Sequence, residues 1–252
     1  MIEIFILSII QGVTEFLPVS SSSHLILASE YFNFKNQSLS VDVSLHIGSF
    51  LAVIFYFYKD IINFYRNKIL FFRILISSLP VMFIGFLLVE MDYIEKIRNV
   101  KTIAWSTLIF GILLHISDKF QLEKNLKNNF SLKSAIFIGI LQIISLVPGV
   151  SRSGIAITAA RFLKFKRVDA AKISFLLSIP ILGAVSFFGL KNIIFFEDYS
   201  FTKINLIAIL LSFFFSLITI KYFLKFISKF NLNLFVYYRV ILGIFLLVLA
   251  YS

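Results

Sequence analysis

Cysteine is absent from the 252 residues, which excludes disulfides, thiolate metal sites and cysteine nucleophiles. Charge is scarce as well: Asp, Glu, Lys and Arg together make up 15% of the chain. A soluble domain of this length would need far more polar surface, because most of its outer residues must face water. Four prolines and ten glycines leave no room for a long flexible linker. What fills the chain is apolar, 59% of residues, with a mean hydropathy of +0.94. Bilayer lipid removes the demand for polar surface, so residues 1–252 are expected to form a single integral membrane domain. Acidic residues are outnumbered 13 to 24, for a formal charge of +11. The basic residues sit in short loops between apolar runs, where they fix membrane orientation, and nucleic acid is not an expected partner. The opening Met1–Gly12 has no basic leader and no small-residue cleavage site, so it reads as retained structure.

Ten apolar runs fall at about Ile2–Leu17, Leu25–Phe34, Val41–Tyr58, Ile69–Leu88, Thr102–Ile116, Ser134–Val147, Ile155–Leu163, Ile173–Phe188, Ile204–Tyr222 and Leu234–Tyr251. A spanning helix needs roughly 20 apolar residues. Leu25–Phe34 and Ile155–Leu163 have about half that, and each follows a break containing proline and serine. Short, interrupted segments at corresponding places in two halves point to re-entrant hairpins in an internal repeat. Sliding the chain by 131 positions places Gln11 on Gln142, Val19 on Val150, Ser20 on Ser151 and Ser22 on Ser153. An odd number of crossings per half inverts the second copy. The expected fold is therefore an all-α polytopic membrane protein of two inverted-topology repeats, about 1–120 and 131–252. Each repeat carries a re-entrant helical hairpin and about three transmembrane helices.

Loop charge gives an orientation. Sixteen basic residues fall on one side, in the loops around Lys59–Arg73, Lys119–Lys133, Arg161–Lys172 and Lys221–Lys229. Six fall on the other: Lys35, Lys96, Arg98, Lys101, Lys191 and Lys203. The positive-inside rule makes the first side cytoplasmic and both termini external. The hairpins then enter from opposite faces and their tips meet near mid-membrane.

The first tip runs from Gln11 through Glu15, Pro18 and Ser20–Ser23 to His24. Gln11 and Glu15, four apart, share one helix face. An ionisable residue in an apolar segment usually marks a site, a pathway or a pair, although Glu15 near its helix end also reads as reaching the interface. Ser20 reads equally as a cap for the short helix that follows, and a helix N-terminus offers free N–H groups to an anion. The second tip is Pro148-Gly149-Val150-Ser151-Arg152-Ser153-Gly154. A lone arginine between apolar helices needs an anion or a carboxylate, and a structural Arg152–Glu15 ion pair competes with phosphate binding. Its guanidinium matches phosphate oxygens in a bidentate way. Gly149 and Gly154 let the backbone turn tightly and come close to a ligand. A carboxylate, an imidazole, hydroxyls, a guanidinium and two helix N-termini suit phosphoryl transfer, where catalysis is mostly positioning and charge stabilisation.

Other polar residues read more plainly. His46 looks like a helix-packing residue, His115 near Asp118 looks interfacial, and Asp42 favours the start of its own helix. Arg239 reads as intramembrane or snorkelling, with a minor part in an anion site.

At these residues the chain resembles the undecaprenyl-diphosphate phosphatase family, also called the bacitracin-resistance phosphatases. The family's first motif appears as Gln11, Glu15, Pro18–Ser21 and His24, and its second as Pro148–Val150 followed by Ser151–Gly154. The stretches His46–Val53, Ile173–Pro180 and Tyr238-Arg239 are also similar, so the resemblance covers most of the chain. It implies hydrolysis of undecaprenyl diphosphate to the monophosphate, recycling the lipid carrier of cell-wall polysaccharides. It further implies a bacterial inner-membrane enzyme open to the outer face, a divalent cation (Mg²⁺ or Ca²⁺) held with help from Glu15, and admits a homodimer. Carried over, Glu15, Ser21, His24 and Arg152 are catalytic, while Gln11, Ser20, Ser22, Ser151, Ser153 and Gly154 bind substrate. Gln11 stands where many members have Glu, and Ser22-Ser23 where Thr-Gly is common. The expected nucleophile is Ser21, or water activated by His24.

Two other classes compete. A transporter or flippase of a phosphorylated lipid would use the same inverted repeats and mid-membrane anion site. A phosphatidate-phosphatase-type enzyme would need a second histidine downstream, and no His follows Arg152.

Overall fold

The computed structural model describes residues 1–32, 34, 38–91, 93, 97–196 and 203–251, with only the helical backbone for 192–196. Lys35 and Lys96, two of the six cations assigned to the outer loops, lie outside the described residues. Twelve helices are described: α1 (Ile2–Thr14), α2 (Ser21–Phe32), α3 (Leu39–Tyr56), α4 (Tyr58–Arg66), α5 (Lys68–Glu90) and α6 (Val100–Asp118) come first. Then follow α7 (Leu126–Asn129), α8 (Leu132–Gln142) running into a 3₁₀ turn at Ile143–Leu146, α9 (Arg152–Phe162), α10 (Arg167–Phe196), α11 (Lys203–Ile227) and α12 (Asn233–Tyr251). No strand occurs among the described residues. Six helices, α3, α5, α6, α10, α11 and α12, are long and apolar enough to cross a bilayer, and the chain is a multi-pass membrane protein. At about 1.5 Å per residue, α1, α2, α8 and α9 reach only about 16–20 Å each, short of a roughly 30 Å hydrocarbon core.

Polar caps set the helix starts. Ser38, Asn67, Asn99, Ser131 and Ser151 each accept a hydrogen bond from the backbone N–H three residues on, satisfying a donor the first turn leaves free. Two expected runs divide differently. Val41–Tyr58 ends as a spanning helix at Tyr56, and α4 starts afresh with Lys59, Asp60 and Arg66 and no buried residue. The run expected from Ile173 begins six residues earlier, because α10 includes a charged first turn. There Asp169 Oδ1 accepts from Leu126 N (3.0 Å), while Arg167 Nε donates to Asp118 (2.7 Å).

Helix α9 is the buried axis. Every residue from Ser153 to Arg161 is buried, and Gly, Ala, Ser and Thr fill six of those nine positions. Lipid gives no hydrophobic drive between helices, so small side chains that allow close approach supply the packing. Around it Phe16, Phe57, Phe175 and Phe165 form the core, with Phe16 edge-on to Phe175 at 5.3 Å. Arg161, counted above as a loop cation, is fully buried. It binds the Asp118 carboxylate (3.3 Å) and the carbonyls of Asp118, Phe120, Gln121 and Phe165. This fixes the far end of α9. His115 meets Asn233 Oδ1 at 3.3 Å rather than Asp118.

Candidate active site

Both tips turn through a serine with positive φ: Ser20 at 79° and Ser151 at 73°. Non-glycine residues rarely occupy this region, and they persist there only where surrounding structure holds them. Immediately after each serine a helix begins, α2 at Ser21 and α9 at Arg152. Ser151 Oγ caps α9 by accepting from Gly154 N at 3.0 Å. Ser20 Oγ instead meets the hydroxyls of Ser23 (3.0 Å) and Ser22 (3.4 Å).

The tips are joined from within and from behind. Ser153 Oγ donates to Leu17 O across the gap at 2.7 Å. Arg239, fully buried on α12, donates to Pro18 O (3.1 Å) of the first tip and to Val150 O (3.0 Å) and Gly149 O (2.8 Å) of the second. Its Nε reaches Thr107 O on α6 at 3.2 Å. Gly149, at φ 97°, sits where a Cβ would collide with Ser106 Oγ and come within 2.7 Å of Ile103 O, so glycine is required there. Ser106 Oγ also donates to Pro148 O. Arg239 therefore clamps the backbones, and the minor anion-binding part expected of it gives way to a positioning role.

Where the tips meet, a cavity of about 180 Å³ is lined by Thr14, Glu15, Ser20, Ser21, Ser22, His46, Ser145, Ser151, Arg152 and Ser153, with Val81, Ile181, Leu182 and Val185 as an apolar wall. A larger cavity of about 440 Å³ lies among Phe64, Tyr65, Lys68, Phe71 and Phe72 and offers no carboxylate and no serine. Most of the expected site residues gather in the smaller one. Glu15 ends α1 and is 7% exposed. Its Oε1 takes a bond from Arg152 Nη2 at 2.5 Å, and its Oε2 takes bonds from Ser21 Oγ at 2.6 Å and Gln11 Nε2 at 3.0 Å. The ion pair weighed above against phosphate binding is present. It does not exhaust the guanidinium, because Arg152 Nη1 is buried with no partner among the described residues. A charged donor left unpaired in a buried place costs about 1–3 kcal/mol or more. An anion in the cavity removes that cost.

Of the expected site residues, Glu15, Ser20, Ser21, Ser22, Ser151, Arg152 and Ser153 line this cavity, and Gln11 reaches it through Glu15. Gly154 lies behind the tip, its N–H taken by Ser151 and its Cα facing Arg239 Nη1. His24 is not a lining residue: Nδ1 donates to Ser20 O and Nε2 meets the Tyr238 hydroxyl, both at 2.6 Å, with the two rings stacked. His46, read above as packing, lines the cavity, with Nδ1 3.0 Å from Gln11 Nε2. Its signal was an ionisable side chain midway along a spanning helix.

The donors do not make a resident cation cage. Among the described residues no group of three or more His, Asp or Glu side chains could share a metal ion. Glu15, the one carboxylate lining the cavity, is engaged on both oxygens.

Known proteins match this chain along nearly its whole length. The family model for "Bacitracin resistance protein BacA" matches residues 4–245. An undecaprenyl-diphosphatase of Pelagibacter ubique is 46% identical over 252 residues, covering 100% of this chain and 98% of the relative. An enzyme of the same name from Saccharophagus degradans is 41% identical over 251 residues (94% and 93%), and one from a Jannaschia species is 36% identical over 262 (99% and 98%). With the match running through both tips and nearly end to end, the chain belongs to the bacitracin resistance protein BacA family.

Proposed function

We propose that this chain is an undecaprenyl-diphosphatase, a membrane hydrolase that cleaves the phosphoanhydride of undecaprenyl diphosphate to the monophosphate and inorganic phosphate. The observation that carries the mechanism is Ser21 Oγ, 2.6 Å from Glu15 Oε2, at the N-terminus of α2 in the cavity that Arg152 lines. The cavity has room for about six waters, the size of a headgroup and not of a prenyl chain. The chain lies along the apolar wall of Val81, Ile181, Leu182 and Val185.

Arg152 Nη1 and the free N–H groups opening α2 hold the diphosphate. Ser21 Oγ attacks the terminal phosphorus and its proton passes to Glu15 Oε2. The bridging P–O bond breaks and the lipid monophosphate leaves. Water then cleaves the phosphoserine, releasing phosphate and restoring the hydroxyl. Ser20, Ser22, Ser151 and Ser153 border the bound headgroup, while Gln11 and Gly154 support Glu15 and the second tip. His24, tied to Ser20 O and Tyr238, supports the first tip, and this favours serine over water as nucleophile. Arg152 and Glu15 cancel each other's charge, leaving the diphosphate's own charge unbalanced. A divalent cation, implied by the resemblance, would offset that charge; Glu15 is the lining carboxylate that could contribute to holding it, with the remaining ligands left to the diphosphate oxygens.

The finer architecture belongs to the same proposal: two repeats inverted in a bacterial inner membrane, about 1–120 and 131–252, each with a re-entrant hairpin. In support, α2 and α9 open 131 residues apart on serines of like φ. The pairs α1–α11 and α3–α11 also have counterparts in α8–α5 and α10–α5. Nine residues of helix separate Arg152 from Arg161, about 14 Å, which puts the site near mid-bilayer if Arg161 marks the interface. Loop charge puts Lys124 and Arg167 in the cytoplasm, with the cavity open to the outer face. A homodimer is compatible with this layout.

The test is phosphate release from a long-chain polyprenyl diphosphate by purified protein in detergent, with and without Mg²⁺ or Ca²⁺. Release with formation of the lipid monophosphate is expected. Movement of the lipid across vesicles without phosphate release would favour the transporter instead.

A further inference from the structure

We propose that His46 is a fixed hydrogen-bond donor to the phosphate in the cavity, its proton held on Nε2 because Gln11 occupies Nδ1. The identity of the ligand rests on the diphosphate reading above; the tautomer rests on geometry alone. Arg152, 2.5 Å from Glu15 Oε1, keeps Glu15 a carboxylate, and a carboxylate oxygen only accepts hydrogen bonds. The Gln11 atom 3.0 Å from Glu15 Oε2 is therefore the amide nitrogen, since an amide oxygen there would face another acceptor. That orientation leaves Gln11 Oε1 without a partner among the described residues, a burial cost accepted to keep the N–H on Glu15.

The amide has two hydrogens. One goes to Glu15; the other meets His46 Nδ1, also at 3.0 Å, ahead of Ser49 Oγ at 3.5 Å. Ser49 is already engaged with Ser212 (3.2 Å) and Ser216 (3.1 Å). His46 Nδ1 must then accept, so the neutral ring carries its hydrogen on Nε2. His46 lines the cavity, and its Nε2 has no hydrogen-bond partner among the described residues. The directions are then fixed: Arg152 and Gln11 both donate to Glu15, Gln11 gives its second hydrogen to His46, and His46 faces outward as a donor. In this form the ring supplies a hydrogen to an anionic oxygen and has no free lone pair with which to take a proton. Proton abstraction stays with Glu15.

The test uses the full chain, labelled with ¹⁵N-histidine, in detergent. His46 resonances are assigned by their loss in His46→Gln. Wild type should show a bare Nδ1 and a protonated Nε2, and Gln11→Glu should protonate Nδ1, because a carboxylate accepts where the amide donates. Methylene diphosphonate, whose bridge resists hydrolysis, should shift the Nε2 signal. In the turnover assay, His46→Ala should lower kcat/KM at least about tenfold, and His46→Gln, which keeps an N–H donor, should recover part of the loss. A protonated Nδ1 in wild type, no response to the diphosphonate, or wild-type kcat/KM in His46→Ala would each overturn the proposal. Protein that shows the tautomer and the diphosphonate shift but releases no phosphate would sink the phosphatase reading and leave this one standing.

Discussion

The tip at Leu17–Ser23 and the tip at Val147–Gly154 turn through serines of nearly equal φ and each feed a short helix, yet their side chains divide the work. The first brings Ser21 to Glu15 and has no cation. The second brings Arg152 and has no carboxylate, and its two hydroxyls, Ser151 and Ser153, are tied to Gly154 N and Leu17 O. Neither half is a site alone. What joins them is not symmetric either: Arg239, from α12, binds carbonyls of both tips. Two arginines near one cavity thus serve opposite ends. Arg152 keeps Nη1 free of protein partners among the described residues, while Arg239 spends four of its five N–H donors on backbone carbonyls and does not line the cavity. A buried arginine becomes a ligand-binding group when its surroundings stop short of satisfying it.

The comparison breaks most severely at Ser21, the proposed nucleophile of the first tip. Ser21→Ala should lower kcat by at least about 10³-fold, the scale of losing a group that acts as a unit with its base. Binding of a non-hydrolysable diphosphate should stay largely intact, because Arg152 and the helix N-terminus remain. Near-normal turnover would return the nucleophile to water. Next in size is Arg239→Lys, which cannot reach carbonyls of three segments with one ammonium group. Loss of several charge-assisted bonds to buried carbonyls should cost about 3 kcal/mol or more of stability, read by thermal unfolding in detergent. An unchanged unfolding midpoint would dismiss the clamp. Arg152→Lys should do less to the fold and act on chemistry: about tenfold or more in kcat/KM, about 1.4 kcal/mol, since the ammonium keeps the charge and loses the fork. Wild-type turnover there would make Arg152 purely structural.

Much of this site was legible in the sequence because polar residues stand out in an apolar chain. Gln11 and Glu15 at helical spacing, the serine run, Arg152 between two glycines and the Arg152–Glu15 pair all follow from that contrast. His46 and Arg239 carried the same contrast, but their partners did not: Gln11 lies 35 positions from His46, and Arg239 meets carbonyls that no side chain announces. His24 adds a third such partner, the hydroxyl of Tyr238, 214 residues away in the chain. The break after Tyr56 escaped for a different reason. Lipid-facing and core-facing sides are both apolar here, so periodicity could not separate a spanning helix from the exposed, amphipathic α4 that continues it.

The smallest effect separates the two turn serines, whose backbones agree and whose hydroxyls do not. Ser151 Oγ accepts the Gly154 N–H, a true cap, so Ser151→Ala should lose about 1 kcal/mol and leave the positive φ unrelieved. Ser20 Oγ touches only other hydroxyls, which can turn to new partners, so Ser20→Ala should lose less. Glycine sharpens the contrast. At Ser151 it gives up the cap for a few tenths of a kcal/mol and gains back roughly the 1 kcal/mol or so that a left-handed backbone costs a residue with a Cβ. Ser151→Gly should therefore be at least as stable as wild type, although Ser151→Ala is not. Unfolding midpoints of the three variants and the wild type, measured in one detergent, decide it. If Ser20→Ala and Ser151→Ala fall by the same amount, the hydroxyls do equal work and the tips are alike in more than backbone.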